Sequence, residues 1–238
     1  MSPPVAILLI LPALVALGWL IHWLFIRTEG VFLGRRIVVW LYDLTAGRYD
    51  GIKQFDADTE SAFITWPLRR RLKRFPAPLV LDVATGTGRL PYFLLQEPEF
   101  NGRVIGLDAS AGMLTQAQVK LAPFGDRAAL VRQSALDLPF GDAAFAAVTC
   151  LEALEFLPDD AAALREMARV LRPGGVLLVS RRQGPDAPWF LGHTRDRDEF
   201  EALLADIGLT DIRTQPWQVE YELVWAARPE LASSLSST

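Results

Sequence analysis

The stretch DVATGTGRL, residues 82–90, puts Gly86 and Gly88 in a turn that directly follows an apolar run, LVLDV. A glycine turn between a strand and a helix brings backbone N–H groups and a helix N-terminus against a ligand. A phosphate-binding P-loop needs a lysine after its last glycine, and none follows Gly88. A dinucleotide site needs a third glycine three positions on, where Pro91 stands, so that reading is weakened. A second carboxylate, Asp108, closes the run VIGLD. There it can accept from both hydroxyls of a ribose, the same logic as in dinucleotide sites. Its alternative role is to cap a helix over ASAGML. A third, Asp137, sits in ALDLPFGD, where aspartate also forms turns.

These residues need a frame, and from Leu79 the pattern supplies one. Short apolar runs (LVLDVA, RVIGLDA, AALVRQSA, AFAAVTC, VLLVSR) alternate with helical segments such as DDAAALREMARVL and RDEFEALLADIGL. Such alternation predicts an α/β fold, a Rossmann-like doubly wound sheet of seven strands. The last two strands, within TDIRTQPWQVEYELVWAAR, have no helix between them, so one is expected to run antiparallel at the edge.

Within that frame, VLDVATGTGRL resembles the first motif of class I S-adenosylmethionine (SAM) methyltransferases, with Ala84 where the pattern has its first glycine. VIGLDASAGML is similar to the second motif, SALDLPFGDAAFAAVTCLEALEFLPD to the third region and LRPGGVLLVS to the fifth strand. VLDVATGTG and LPFGDAAF look most like the ubiquinone and menaquinone C-methyltransferases. The resemblance spans roughly 79–228 and implies SAM as cofactor. It places Asp82, Ala84, Thr85, Gly86 and Gly88 at the methionine end, with Asp82 facing the ammonium. It places Asp108, Ala109 and Met113 at the ribose. Ser134, Ala135 and Leu136 would line the adenine, with Asp137 accepting from its amine. Cys150 and Leu151 would lie beside the methyl group; Cys150 has no basic neighbour in sequence and reads as a small core residue.

The chain has 238 residues, a net charge of −4 and 51% hydrophobic residues. No basic domain is present for nucleic acid, and one cysteine with two histidines offers no zinc spacing. The apolar excess lies at the N-terminus. Val5 to Ile26 carries no formal charge and as a helix would reach roughly 33 Å, enough for a hydrocarbon core of about 30 Å. With no basic residue before it and Arg27, Arg35 and Arg36 after it, the expectation is an uncleaved single-pass anchor over 1–28 with the rest cytoplasmic. Trp19 and Trp23 would sit at the interface. Segment 29–78 reads as juxtamembrane helices, lying on the membrane or packed on the domain. Arg69 to Arg74 form a basic run suited to solvent or headgroups, and 229–238 is expected to be a disordered tail.

Methyl transfer from a sulfonium is an in-line displacement, which needs alignment first and a base only if the acceptor must lose a proton. His193, Glu152, Glu155, Tyr42 and Tyr49 are the candidates, none decisive. Phe156 stands where many relatives have histidine. Trp189, Phe190 and Leu191 could line an apolar acceptor pocket or cover the core. The expected acceptor is small and lipophilic: a quinone, a prenylated compound or a lipid. The alternatives are a membrane-tethered SAM-binding protein without turnover and an NAD-dependent oxidoreductase.

Overall fold

The computed structural model describes residues 3–53 and 56–230, with side chains from residue 11 onward. The serine-rich tail therefore lies almost wholly outside the described residues. The N-terminal third is helical: α1 (Pro3–His22), α2 (Arg35–Thr45), α3 (Tyr49–Lys53), α4 (Ala57–Glu60) and α5 (Trp66–Leu72). Then follow β1 (Leu79–Val83), α6 (Arg89–Gln96), β2 (Arg103–Asp108), α7 (Ala111–Leu121), β3 (Ala128–Arg132) and β4 (Phe145–Cys150). The chain closes with α8 (Asp160–Val170), β5 (Leu171–Arg182), α9 (Arg197–Asp206), β6 (Thr210–Pro216) and β7 (Tyr221–Ala227).

The seven strands form one sheet in the order β3-β2-β1-β4-β5-β7-β6. β1 pairs in parallel with β2 on one side and β4 on the other, so the strand order reverses between β1 and β4. The carboxyl ends of those two strands flank the crevice where such folds bind ligands. Leu81, Val148, Leu164, Met167 and Leu204 pack on one face of the sheet, and Leu68, Leu94, Ala117 and Leu178 on the other.

The antiparallel strand is not at the edge, as the sequence reading had it. It is β7, which runs against both β5 and β6 and lies between them. Its run YELVWAA is buried along nearly its whole length, whereas TDIRTQP in β6 is mostly exposed. An interior strand is covered on both faces and tolerates continuous apolar residues; an edge strand does not require them. The two compositions carried the answer.

The first ten residues of the expected anchor lie outside the residues whose side chains are described. Among the described residues no helix is long and apolar enough to cross a membrane. The α-helix stops at His22, and Trp23–Arg27 continue as a π-helical turn rather than as more of a straight span. The two tryptophans assigned to a bilayer interface pack on the domain instead. Trp23 stacks on Phe32 at 5.0 Å, and Trp19 meets the edge of Trp189 at 6.3 Å. In the basic run Arg70, Lys73 and Arg74 are exposed, as a solvated face would be, and Arg69 and Arg71 turn inward. Arg69 is buried against Glu97 and Glu99, Lys73 pairs with Glu99, and Arg71 lies over the Trp225 ring.

Candidate functional site

β1 delivers Asp82 and then breaks into the glycine turn, where Ala84, Gly86 and Gly88 all have positive φ (53°, 56° and 78°). Thr85 donates its backbone N–H to Leu107 at the end of β2, stitching the turn across the strand ends. Gly86 donates to Oδ2 of Asp108 at 2.8 Å, and Ser110 donates its backbone N–H to Oδ1. Ser110, not Asp108, caps α7, accepting from Met113. Asp108 is thus fixed by the turn with lone pairs left over. Burial raises its pKa against the lowering effect of those amide bonds.

Asp82 is almost wholly buried. Each oxygen accepts a hydroxyl at 2.6 Å, one from Thr149 on β4 and one from Thr85. Desolvation still outweighs those bonds and pushes its pKa up to about 6. A cationic group nearby would reverse that shift.

A cavity opens over these strand ends. Asp108, Ala109, Met113, Ser134, Ala135 and Leu136 form one wall. A smaller adjoining pocket is lined by Asp82, Thr85, Thr87 and Arg89, and both share Tyr49, Ala84, Gly86, Leu151 and Glu152. A Cβ on Gly86 would point into open space with nothing within 4 Å. The turn is shaped for a close neighbour that is not protein. A half-buried carboxylate that could take ribose hydroxyls, a buried one that could take an ammonium, and a turn without a following lysine suit an adenosyl amino acid.

Three residues assigned to the cofactor do not line this cavity. Gly88 starts α6, with Leu121 and Ala117 at its back. Asp137 turns its backbone N–H to Ser134 in the loop beyond the cavity wall. Cys150 is fully buried in the core, where burial pushes its thiol pKa well up. Its neighbour Leu151 is the one that reaches the cavity.

The catalytic candidates separate as well. His193 lies outside the cavity, edge-on to Phe32. Glu155 is sealed in the core with Arg182 and Tyr221. Trp189 and Leu191 border a different apolar groove with Trp19 and Trp23, and Phe190 is completely buried. Glu152, Tyr49 and Tyr42 do line the cavity. Glu152 accepts from Arg89 at 2.8 Å and Lys53 at 2.9 Å. Burial alone would raise its pKa, but those two cations outweigh it and hold it at about 2. Burial pushes the Tyr49 hydroxyl up to about 12. Glu152 is therefore a fixed anion and Tyr49 a neutral donor near pH 7, which makes neither a strong base.

The sequence reading passed over Arg89, and it left open whether the segment that forms the roof lies on the membrane or caps the site. Arg89 directly follows the glycine turn, so its position was visible; its pairing with Glu152 and Glu60, from distant segments, was not. The roof is α2, whose Arg35, Val38, Val39 and Tyr42 line the cavity. Asp43 latches it to α7 by accepting from the Ser110 hydroxyl and the Gly112 N–H.

Residues 80–175 match a family described as a methyltransferase domain. A demethylmenaquinone methyltransferase of Lactiplantibacillus plantarum is 45% identical over 111 residues, 46% of this chain and 47% of that protein. One of Corynebacterium urealyticum is 33% identical over 155 residues, 65% of this chain and 64% of that protein. The chain thus spans between about half and two thirds of these relatives. Among solved structures, Haemonchus contortus phosphoethanolamine N-methyltransferase 2, in complex with phosphomonomethylethanolamine and S-adenosylhomocysteine, superposes with a TM-score of 0.57 at 17% identity. That likeness covers 73% of this chain and 57% of that one, and at such identity it speaks for the fold alone. Fold, turn and family match agree in what they support: residues 80–175 match a methyltransferase domain on a seven-stranded α/β sheet, and the cofactor that match points to is S-adenosyl-L-methionine.

Proposed function

We propose that the protein transfers a methyl group to a small, lipophilic ring acceptor of the quinone type, working at a membrane. The observation that carries this reading is the make-up of the cavity beyond the cofactor residues. Val38, Val39, Tyr42, Phe156, Leu157 and Pro158 form an apolar and aromatic wall, and polar groups enter beside it at Arg35, Tyr49 and Glu152. Small-molecule sites are built in this way, with an apolar lining and a few placed polar groups. The demethylmenaquinone methyltransferases among the relatives support a quinone-like ring.

When bound, SAM supplies a methyl group already activated on a sulfonium, so the protein's task is alignment. Asp108 holds the ribose and Asp82 the ammonium. The Tyr42–Phe156 pair, edge to face at 5.9 Å, packs the acceptor ring against its neighbours. Neutral Tyr49 donates to an acceptor oxygen, and Glu152 keeps Arg89 and Lys53 in place beside it. Because the described lining holds no strong base, an acceptor whose ring carbon is already electron-rich, such as a hydroquinone, suits the site, with the displaced ring proton passing to solvent.

The membrane part of this reading rests on α1. Leu14, Val15, Leu17 and Ile21 are exposed by half or more, and Arg27 follows them. That surface suits lipid contact. The test is a transfer assay with methyl-labelled SAM, demethylmenaquinol in detergent and the purified protein, followed by mass spectrometry. Gain of one CH2 unit on the quinol ring is expected. SAM binding without transfer to any quinol or lipid would favour a binding protein.

A further inference from the structure

Helix α2 has two faces with different surroundings. Val38, Val39 and Tyr42 face the cavity. Trp40 and Leu44, one turn apart on the far side, are 54% and 69% exposed. Leu33 just before the helix and Ile52 in α3 are exposed too. The roof of the site therefore wears an apolar outer skin.

The charges around that skin are sorted. Every acid between residues 27 and 53 is engaged within the fold: Glu29 accepts from Tyr42, Asp43 from Ser110 and Gly112, and Asp50 from Thr87 while pairing with Lys120. Arg36 and Arg48 are exposed and make no ion pair with any described residue. The outer face is thus apolar and cationic on a chain of net charge −4.

We infer that the outer face of α2 docks on an anionic lipid surface, so that the roof over the methyl-transfer cavity is the layer resting on the bilayer. An apolar stripe flanked by arginine is the composition of an interfacial helix, and each basic group near an anionic leaflet adds attraction. A second copy of this chain on the same face would set Arg36 and Arg48 of both copies near one another, a like-charge contact that lipid phosphates avoid. The inference rests on the lipophilic-acceptor reading in one respect: an acceptor dissolved in the bilayer reaches the cavity beside α2 without crossing water.

The test labels the full chain at Leu44→Cys with nitrobenzoxadiazole, and at Asp206→Cys as a control on the exposed end of α9. Cys150 is fully buried and stays unlabelled in the native protein. With vesicles of phosphatidylcholine and phosphatidylglycerol, emission at position 44 shifts to the blue and brightens, and position 206 does not change. Vesicles of phosphatidylcholine alone give a smaller response. Replacing Arg36→Gln or Arg48→Gln lowers the vesicle partition coefficient about five-fold each. If the chain sediments with vesicles while position 44 behaves like position 206, α1 alone holds the lipid and the inference falls. It falls equally if the protein ignores the vesicles, or if the shift at 44 follows protein concentration without them, which marks a second copy. Failure of quinol methylation in detergent removes the proposed function but leaves the labelling result standing, so the two are separable.

Discussion

Ala84 and Glu152 end the two central strands in the same left-handed backbone conformation, at φ 53° and 52°. They flank the point where the strand order reverses, and both line the cavity. Left-handed backbone costs a non-glycine residue roughly 1–2 kcal/mol, and such strain gathers at functional sites. Ala84 stands where glycine would be free of that cost. Ala84→Gly is expected to gain about 0.5 kcal/mol, the relief of strain less the larger entropy of the unfolded glycine. A thermal melt should rise by about 1–2 °C, with SAM affinity unchanged in calorimetry. Gly86→Ala reverses the logic. It adds strain at φ 56° and puts a methyl into the cofactor's space, so SAM affinity falls steeply while the melt drops only slightly.

If Asp82 faces the ammonium of SAM as proposed, cofactor binding is pH-dependent. Its pKa of about 6 in the free protein means the carboxyl is largely protonated at pH 5. The ammonium of SAM favours the carboxylate, so binding below pH 6 must release a proton. SAM affinity is expected to rise with pH, at most about ten-fold per unit, and to level off above 6. The stability of the free protein moves the other way. A carboxylate raised by folding contributes fully below its unfolded pKa, and that contribution is lost as pH rises through the folded value, here between about 4 and 6. Calorimetry in two buffers of different ionisation enthalpy counts the proton. Asp82→Asn should flatten the profile; an unchanged slope in that variant would assign the dependence to another group.

Strand and helix alternation from Leu79 onward made the sheet legible, because period and turn residues are local properties. Asp82, Asp108 and the glycine turn were legible for the same reason: each sits at a strand end that the pattern locates. The roof was not. Whether α2 covers the cavity or leaves it depends on Asp43 meeting Ser110 and Gly112, contacts made 67 and 69 residues away. The place of β7 inside the sheet depends on pairing with β5, although its unbroken apolar run hinted at two covered faces. The surroundings of Trp19 and Trp23 were not legible, because hydropathy does not say whether a tryptophan meets lipid headgroups or another aromatic ring.

Glu152 is expected to matter for stability as much as for the site. It is buried between Arg89 and Lys53, and removing one partner of a buried pair leaves a charge uncompensated. Glu152→Gln should cost about 3 kcal/mol. Adding Arg89→Gln should recover part of that loss, because the stranded guanidinium is then gone; purely additive melts would show that the pair is not coupled. In acid the wild-type contribution of Glu152 is present above its unfolded pKa, near 4.5, and is lost as pH falls toward about 2.

Asp108 and Asp137 give opposite expectations, because one lines the cavity and the other does not. Asp108→Ala removes the acceptor proposed for the ribose hydroxyls and the observed anchor of the Gly86 amide. Two charge-assisted bonds at about 1.5–3 kcal/mol each predict a loss of SAM and S-adenosylhomocysteine affinity of at least about 100-fold. Asp108→Asn keeps one acceptor oxygen and should fall between that variant and wild type. Asp137→Ala should stay close to wild type, since the carboxylate is not part of the cavity lining. Calorimetric titration of the four proteins with S-adenosylhomocysteine measures this directly. A comparable loss in Asp137→Ala would mean that the loop following β3 closes over the adenine when the cofactor binds.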